Sequence, residues 1–264
     1  MEKINVSLVI ISLNEEKHIQ NCIKSVHWVD DIVVLDSGST DNTIALAESC
    51  GARVFKESWR GFGPQKRRAV ELAKNNWVLC LDADEELSRE LSTEIYQFFT
   101  EKLSSKQTLA SQVDGGCFPR KSYHLFTWIT HGGWYPDFQY RFFNKDKCNW
   151  SDDLIHEKVM MKNPHTFKND LIHYPFENLK AQIQKNNAYS SLLAEKLYFE
   201  AKKVQIIHHL FLKPIVKFIE CYYFKRGFQD GIAGYIIASS AAFSQFLKYA
   251  KLWEMQKKEK SKNS

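Results

Sequence analysis

Two aspartates separated by one residue, Asp82 and Asp84, are the side chains of this sequence that point most directly to chemistry. They follow the apolar run of residues 77–81, which predicts a buried strand. Side chains at positions i and i+2 of an extended chain point the same way, so the two carboxylates should converge. Converging carboxylates repel each other unless a cation lies between them, and hard oxygen ligands suit Mg²⁺ or Mn²⁺, which could in turn hold a diphosphate. The alternative is an acidic turn that opens the next helix near its positive end.

Asp36 ends another apolar run, in the segment LDSGSTDNT. We expect its carboxylate to accept hydrogen bonds from the edge of a nucleobase, while Gly38 lets the chain turn closely beside it. The alternative is ordinary turn chemistry, in which Thr40, Asp41 or Asn42 caps the next helix. Both interpretations can hold together, because capping explains Asp41 and leaves Asp36 without a role.

The basic segment GFGPQKRR, residues 61–68, precedes or opens a helix. It is not a dinucleotide-binding fingerprint, which needs G-x-G-x-x-G directly after the first strand, and the sequence contains no P-loop. Lys66, Arg67 and Arg68 could reach a diphosphate. A solvated helix face explains any one of the three equally well.

These polar residues need a scaffold, and the first hundred residues repeat one pattern of an apolar run, a polar turn and a helical period. The runs that predict strands are residues 6–12, 31–36, 52–56 and 77–81, and the segments that predict helices are residues 15–28, 43–50, 64–73 and 89–99. Continuous apolar strands that alternate with amphipathic helices predict an α/β fold with a mostly parallel, Rossmann-like sheet flanked by helices. Ligands of such sheets bind beyond the carboxyl ends of the strands, where Asn14, Asp36 and Asp82 fall.

Two segments of the second half place aromatic rings or histidines beside carboxylates: residues 131–137 (HGGWYPD) and residues 152–157 (DDLIHE). Flat rings beside carboxylates commonly line pockets for polyhydroxylated ligands, although packing explains most of these rings better. The histidines show no zinc-like spacing, so we predict no histidine metal site. A long helix is expected over about residues 178–203.

The formal net charge of +5 is unevenly distributed along the 264 residues. Residues 1–200 carry a net charge of −3 and residues 201–264 a net charge of +8. This asymmetry argues against a general nucleic-acid-binding surface and for a local contact with something anionic. Residues 231–247 are uncharged but only moderately apolar, and residues 206–224 are apolar but interrupted by Lys213, Pro214, Lys217 and Glu220. We expect both segments to lie on a membrane or to pack on the protein rather than to span a bilayer. Six scattered cysteines suggest reduced, buried thiols and a cytosolic protein.

Several segments, taken in order, resemble the family 2 glycosyltransferases of the GT-A fold: SLVIISLNEE, VVLDSGSTDNT, GPQKRRAVELA and LDADEEL. Three further segments resemble the WaaE/KdtX-type lipopolysaccharide-core glucosyltransferases and extend the similarity over nearly the whole chain: HGGWYPDFQYRFF, DLIHEKV and FIECYYFKRGFQDGIAGYIIASSAAFSQFLKYAKLWE. The resemblance implies an inverting, metal-dependent transfer of a hexose. The implied donor is a UDP-sugar, UDP-glucose in the subgroup, and the implied acceptor is an inner-core heptose on a lipid-anchored saccharide.

The resemblance also implies a role for each matching residue. The residues implied to bind the nucleotide sugar are Asn14, Glu15, Asp36, Ser37, Lys66, Arg67, Asp82 and Ala83, those implied to hold Mg²⁺ or Mn²⁺ are Asp82 and Asp84, and those expected to bind the acceptor are Trp134, Tyr135 and Arg141. The catalytic base of the family lies in a Glu-Asp pair, where this sequence has His156 and Glu157. Glu157 is therefore our first choice for the base, with His156 beside it, and Asp137 is our second.

The expected organisation is a GT-A domain over residues 1–175 followed by a helical extension. Within the domain, residues 1–100 would bind the nucleotide sugar and residues 115–175 the acceptor. Residues 176–264 would form a membrane-associating extension with a basic tail. The enzyme would be cytoplasmic and peripheral on the anionic inner face of the inner membrane, where each Lys or Arg near the surface contributes about 1 kcal/mol.

Other functions fit the residues less well. A nucleotidyltransferase or a methyltransferase should carry a glycine-rich loop after the first strand, and SLNEEKHI has none. A catalytically inactive, membrane-associated adaptor that binds sugar nucleotides would be expected to have lost Asp82 or Asp84. A glycosyltransferase for another lipid-linked or capsular saccharide stays open.

Overall fold

The computed structural model describes residues 1–103, 113–151 and 158–262. The chain divides into two compact units, one of residues 1–120 and 137–173 and the other of residues 121–136 and 174–264.

The first unit is built on a mixed sheet. Its strands are β1 (Ile4–Ser12), β2 (Val29–Asp36), β3 (Arg53–Lys56), β4 (Trp77–Asp82), β5 (Glu85–Leu87), β6 (Gly115–His124), which continues into the second unit, β8 (Asp137–Asn144), β9 (Pro164–Thr166) and β10 (Leu171–His173). The path through the sheet is β3-β2-β1-β4-β8-β6-β10-β5, and β9 pairs with β6. The first four strands on this path are parallel, whereas β8 joins β4 and β6 in antiparallel pairs. The α/β class predicted from the sequence is confirmed.

The parallel part of the sheet forms where the sequence predicted it, because its strands are continuous apolar runs buried on both faces. Ile10 of β1 pairs with Val34 of β2 on one side and with Leu81 of β4 on the other, so the carboxyl ends of the three strands lie in register. This register brings the residues that follow Ser12, Asp36 and Asp82 to one edge of the sheet.

Among the described residues, four α-helices belong to this unit: α1 (Ile19–Lys24), α2 (Thr43–Ser49), α3 (Phe62–Glu71) and α4 (Arg89–Gln97), with a π-helical segment at Phe98–Leu103 after α4. Helix α1 is shorter than the predicted span of residues 15–28. Helix α4 begins at Arg89, and the side chain of Ser88 caps it by accepting a hydrogen bond from the backbone N–H of Leu91. The acidic residues that follow β4 therefore lie before the helix and not in its first turn.

The second unit contains a hairpin and a set of helices. Strand β7 (Thr127–Ile129) pairs with the end of β6, and the helices are α5 (Leu179–Phe199), α6 (Lys213–Ile219) and α7 (Gly231–Lys262). π-Helical turns precede and follow α6 at Ile207–Leu212 and Glu220–Phe224. Ala194 of α5 packs with Tyr249 and Leu252 of α7 in a small apolar core.

No helix of the residues that the structure describes is long and apolar enough to cross a membrane. All six cysteines are free and five are buried, as expected. Burial raises the pKa of the Cys80 thiol to about 12, so this group stays protonated and inert at neutral pH.

Candidate active site

Asp82 ends β4 and lies between two cationic side chains. Lys66 Nζ lies 2.9 Å from its Oδ1, and Arg141 Nη2 lies 2.5 Å from its Oδ2. Lys66 comes from helix α3, which packs against β1 and β4, and Arg141 comes from the antiparallel neighbour β8. The side chains of both cations are about 95% buried, whereas 28% of the Asp82 side chain is exposed. The carboxylate is thus the outermost member of a charged triad.

The charges of this triad stabilise one another. Burial alone would raise the pKa of Asp82, but the charges of Arg141 and Lys66 outweigh it and hold that pKa well below its usual range. Burial likewise opposes the charge of Arg141, but Asp82 and Glu85 raise the pKa of its guanidinium above the ordinary value. Asp82 therefore stays ionised throughout the physiological pH range.

The buried side chain of Glu85 stabilises the turn after β4. Its side chain is fully buried and accepts hydrogen bonds from the backbone N–H of Asp82 (3.0 Å), from Arg120 Nη1 (2.9 Å) and from Arg141 Nη2 (3.1 Å). The sequence suggested only that this residue was part of an acidic turn. A buried carboxylate with two arginines ties β5, β6 and β8 to the Asp82 turn, so it fixes the position of the neighbouring carboxylates.

Trp150 places an aromatic face beside the two cations of the triad. Lys66 Nζ lies 4.7 Å and the Arg141 guanidinium carbon 5.4 Å from its ring centroid. Arg67, from the same helix as Lys66, donates a hydrogen bond to the Trp150 carbonyl at 2.7 Å. Arg68 points elsewhere and pairs with Glu57 and Glu71. Among the three basic residues predicted to reach a diphosphate, Lys66 is the one held at the Asp82 carboxylate.

Asp84 has a different partner from Asp82. Its Oδ2 lies 3.5 Å from Nε2 of His173, the last residue of β10. No sequence pattern predicts this contact, because the two residues are 89 positions apart and no motif includes His173. The signal that could have found it is topological, since His173 pairs with Glu85 in the antiparallel ladder between β10 and β5.

No cluster of three or more His, Cys, Asp or Glu side chains in residues 1–103, 113–151 and 158–262 is arranged to hold a metal ion. Of the carboxylates predicted to bind a metal, Asp82 directs both oxygens to Lys66 and Arg141, and Asp84 faces His173. Ala83 between them is buried in the main core. Metal ligation by Asp82 and Asp84 stays a prediction.

Asp36 organises the loop that follows β2. Its Oδ1 accepts hydrogen bonds from the backbone N–H groups of Gly38 (2.9 Å) and Ser39 (2.8 Å), and its Oδ2 accepts them from the hydroxyls of Ser12 (2.9 Å) and Ser39 (2.5 Å). Gly38 has a φ of +105°, as the close turn requires. The carboxylate is fully buried, so its direct observed role is to shape this loop. Its expected contact with a nucleobase stays a prediction.

The loops after β1 and β2 are joined by side chains of the predicted nucleotide-binding set. Asn14 has a φ of +56°, and its Oδ1 accepts a hydrogen bond from the backbone N–H of Thr40 at 2.8 Å. The backbone N–H of Glu15 donates to the Thr43 hydroxyl at 2.7 Å. Gln65 Nε2 donates to the Ser37 hydroxyl at 3.2 Å, which connects this edge to helix α3. The structure thus brings these predicted residues to one edge of the sheet.

The structure describes four of the six residues expected to act as the base or to bind the acceptor. Asp137 begins β8 and pairs with Arg120 at 2.6 Å. His156 and Glu157 lie outside the described residues. Trp134 and Tyr135 belong to the second unit, whereas Arg141 belongs to the first and is buried against Asp82 and Glu85. Direct acceptor binding by these side chains stays a prediction.

Some buried polar atoms of the first unit have no hydrogen-bond partner among the described residues at this edge of the sheet. They include the acceptor Gln65 Oε1 and the donors Arg141 Nε and Trp150 Nε1. Buried polar groups are normally paired by protein, water or a ligand. Together with the exposed face of Asp82, they suit an edge that binds a polar, anionic molecule.

A family model described as "Glycosyl transferase family 2" matches residues 7–165. An "uncharacterized glycosyltransferase" of Rickettsia felis is 32% identical over 99% of this chain and 93% of its own length. The "lipopolysaccharide core biosynthesis glycosyltransferase LpsC" of Rhizobium meliloti is 29% identical over 96% of this chain and 93% of its own length.

A solved structure of glucosyl-3-phosphoglycerate synthase from Mycobacterium tuberculosis, in complex with Mn²⁺, UDP and glucosyl-3-phosphoglycerate, is 26% identical to this chain. The match covers 46% of this chain and 44% of that one, with a TM-score of 0.34. An overlap this partial carries no argument about the ligands of this chain.

Proposed function

Since the chain belongs to glycosyl transferase family 2 and is a glycosyltransferase, we propose that it moves a hexose from a UDP-sugar, UDP-glucose in the first instance, to an inner-core heptose of a lipid-anchored saccharide. The observation that carries the proposal is the placement of Lys66 and Arg141 around an ionised Asp82 at the carboxyl ends of the parallel strands. The name of the Rhizobium relative and the resemblance to WaaE/KdtX-type enzymes support the choice of a lipopolysaccharide core as acceptor.

The transfer is a single displacement with inversion. The acceptor oxygen forms a bond to the anomeric carbon as the bond from that carbon to the diphosphate breaks, and UDP leaves with the electron pair. A base takes the proton of the acceptor hydroxyl, and one base suffices for one displacement. Negative charge grows on the diphosphate, where a buried and preorganised cation such as Lys66 stabilises the transition state more than the ground state.

We propose that Asp84 holds Mg²⁺ or Mn²⁺, as the sequence predicts, and that His173, for which the sequence predicts no metal role, is its second ligand. Asp84 Oδ2 and His173 Nε2 lie 3.5 Å apart, close enough for one ion to contact both. Asp82, whose two oxygens pair with Lys66 and Arg141, would act beside the ion on the nucleotide sugar. Two protein ligands suit such an ion, which normally keeps water or substrate phosphate in its other positions. When bound, it would neutralise charge on the leaving diphosphate.

Two considerations guide the choice of the catalytic base: the resemblance to the family, and the ion pair that already engages the alternative candidate, Asp137. Glu157 is our first choice because it falls at the family's base position. Asp137 is the second, but its ion pair with Arg120 engages the carboxylate that would have to accept a proton. Comparing Glu157→Gln with Asp137→Asn decides between them, because the variant of the true base loses turnover while it still binds UDP.

The test of the function is transfer by the purified enzyme. UDP-glucose and other UDP-sugars are offered with lipopolysaccharide truncated after the inner-core heptoses, and the product is weighed by mass spectrometry. We expect a gain of one hexose that Asp84→Asn abolishes, while Glu90→Gln, an exposed substitution on α4, retains it. Transfer only to another lipid-linked or capsular acceptor would overturn the choice of acceptor, and UDP-sugar binding without turnover on any acceptor would favour the inactive adaptor.

A further inference from the structure

The second unit exposes an apolar helical surface that its own core does not use. The segment of residues 206–224, made of α6 and the π-helical turns on either side, has large apolar side chains at every fourth position: Ile207, Phe211, Ile215, Ile219 and Tyr223. Each of them is exposed, Phe211 to 60% and Tyr223 to 59%. Residues four apart lie on one side of a helix. We call these five residues, with Leu212, Val216 and Phe224 beside them, the apolar face.

The other side of the same segment explains why the apolar face points to solvent. His209 is buried and stacks on Tyr249 of α7 at 4.3 Å, and Leu210 packs on the core that α5 and α7 share. Cys221 is buried further along. The segment is thus held in place by one side, where Phe218 and Tyr222 also contact Tyr235 of α7, and the apolar groups of the opposite side stay exposed. Val216 and Phe224, at 61% and 81% exposed, show how little of this face the chain covers.

Positive charge borders the apolar face. Residues 202–226 contain six Lys or Arg and a single acidic residue, Glu220. Glu220 is neutralised by Lys217 at 3.1 Å and Lys225 at 2.6 Å. Lys202 and Lys203 at the start and Arg226 at the end are exposed. A helix with an apolar face and a basic border has the composition of a segment that lies in the surface of an anionic bilayer.

We propose that the apolar face of residues 206–224 is the membrane-docking surface of this enzyme and that it takes the headgroup and acyl boundary of an anionic lipid leaflet. Apolar side chains enter the interface while Lys202, Lys203 and Arg226 bind lipid phosphates. This inference deepens the proposed function, with which it shares a lipid-anchored acceptor. It narrows the contact from the whole extension of residues 176–264, which the sequence predicts to associate with a membrane, to one face of residues 206–224.

A second copy of the chain is the competing occupant, and the charges argue against it. A two-fold interface places a patch against itself, so the basic border of one copy would face the basic border of the other. The one acidic residue within the segment is already paired. An anionic lipid surface meets the same border with opposite charge.

The test is co-sedimentation of the full chain with vesicles of phosphatidylethanolamine and phosphatidylglycerol, which needs no transferase activity. We expect F211S/V216S to lower the bound fraction at least tenfold. The matched control I183S/L192S, which removes two exposed apolar side chains from α5, should bind like the wild type. K202Q/K203Q should weaken binding by about fivefold per lysine at low salt and less at high salt. Removal of residues 257–264 should weaken it less than F211S/V216S.

Four results would overturn the proposal. They are wild-type protein that stays in the supernatant, equal binding to vesicles of phosphatidylcholine alone, F211S/V216S that binds like I183S/L192S, and a wild-type dimer in sedimentation velocity that F211S/V216S dissociates. Circular dichroism checks that each variant folds, and K202Q/K203Q, which lies outside the helices, carries the test if F211S/V216S does not fold. UDP-sugar binding is measured on the same variants. If F211S/V216S loses vesicle binding but still binds the UDP-sugar, the membrane-docking surface is supported independently of the proposed transferase function.

Discussion

Lys66 Nζ and Asp82 Oδ1 lie 2.9 Å apart, and the lysine is the more buried of the two. The usual arrangement at a protein surface is the reverse, with a long cationic side chain extending into water. A buried ammonium held by a partly exposed carboxylate has lost its hydration before any ligand binds. Its orientation is therefore fixed in advance, which is what stabilisation of a developing negative charge requires.

Lys66→Gln should lower kcat/KM about 100-fold, the effect expected when one preorganised charge stabiliser is removed. Arg68→Gln is the matched control, because Arg68 lies on the same helix and pairs with Glu57 and Glu71 away from Asp82. Its rate should stay within about twofold of the wild type. Steady-state rates of UDP release measure both variants, and equal losses in the two would show that Lys66 acts only through the stability of α3.

Asp84→Asn and His173→Ala should each weaken Mn²⁺ binding at least tenfold, because each removes one of two ligand atoms that face each other at 3.5 Å. His27→Ala changes an exposed histidine of the same unit and should leave the affinity unchanged. Titration calorimetry in the presence of UDP gives the dissociation constants. The assignment is wrong if Asp82→Asn abolishes binding while His173→Ala does not affect it.

The parallel strands could be predicted from the sequence because a strand that is buried on both faces requires a continuous run of apolar residues. The starts or ends of β1, β2 and β4 lie within two residues of the prediction. The short strands of the rest of the sheet could not, because β5, β9 and β10 have three residues each, too few to show a periodic pattern. Helix α1 was predicted too long, since residues 15–18 form a turn that joins the loop after β2.

The sequence predicts those parts of the candidate site that lie at the carboxyl ends of the predicted strands. Asp36 and Asp82 end predicted strands and indeed lie at one edge of the sheet. The partners that decide what each carboxylate does come from distant parts of the chain. Arg141 reaches the site through the antiparallel pairing of β8 with β4, and His173 through that of β10 with β5. The spacing of residues in the sequence carries no information about such pairing. The sequence does not distinguish Glu85 from the other acidic residues of its turn, because a buried acid and an exposed one look alike in sequence.

Asp31→Asn should lower the free energy of unfolding by about 2–4 kcal/mol at pH 7, since it leaves Arg53 without its partner at the edge of the sheet. The Asp31 side chain is 1% exposed, and it also accepts hydrogen bonds from the Ser7 hydroxyl and the backbone N–H of Lys74. Asp30→Asn, at the exposed neighbour, should cost less than about 0.5 kcal/mol. Urea unfolding gives both values.

The same residue predicts a pH dependence. Burial raises the pKa of Asp31, but the hydrogen bonds from Lys74, Ser7 and Arg53 outweigh it and lower the pKa below the ordinary value. The native pKa lies below the unfolded one, so the stabilisation is complete above about pH 4 and is lost as the pH falls through the native pKa. The difference between wild type and Asp31→Asn should therefore shrink below pH 4. A difference that stays constant from pH 7 to pH 3 would contradict the charge-based account.

The two-residue turn between β6 and β7 has left-handed backbone at both positions, with φ of +50° at Leu125 and +65° at Phe126. Such a turn favours Asn-Gly, and a side chain with a Cβ costs about 1–2 kcal/mol in this conformation. Leu125 packs against the core of Ile129, Ala233 and Ile237 and is therefore kept, whereas Phe126 is exposed. F126G should stabilise the second unit by about 1–2 kcal/mol, visible as a higher midpoint in thermal unfolding. F126A also removes the exposed ring but keeps the unfavourable backbone, and it should give no such gain. An equal rise in both variants would mean that solvent exposure of Phe126, and not the backbone, limits the stability of this hairpin.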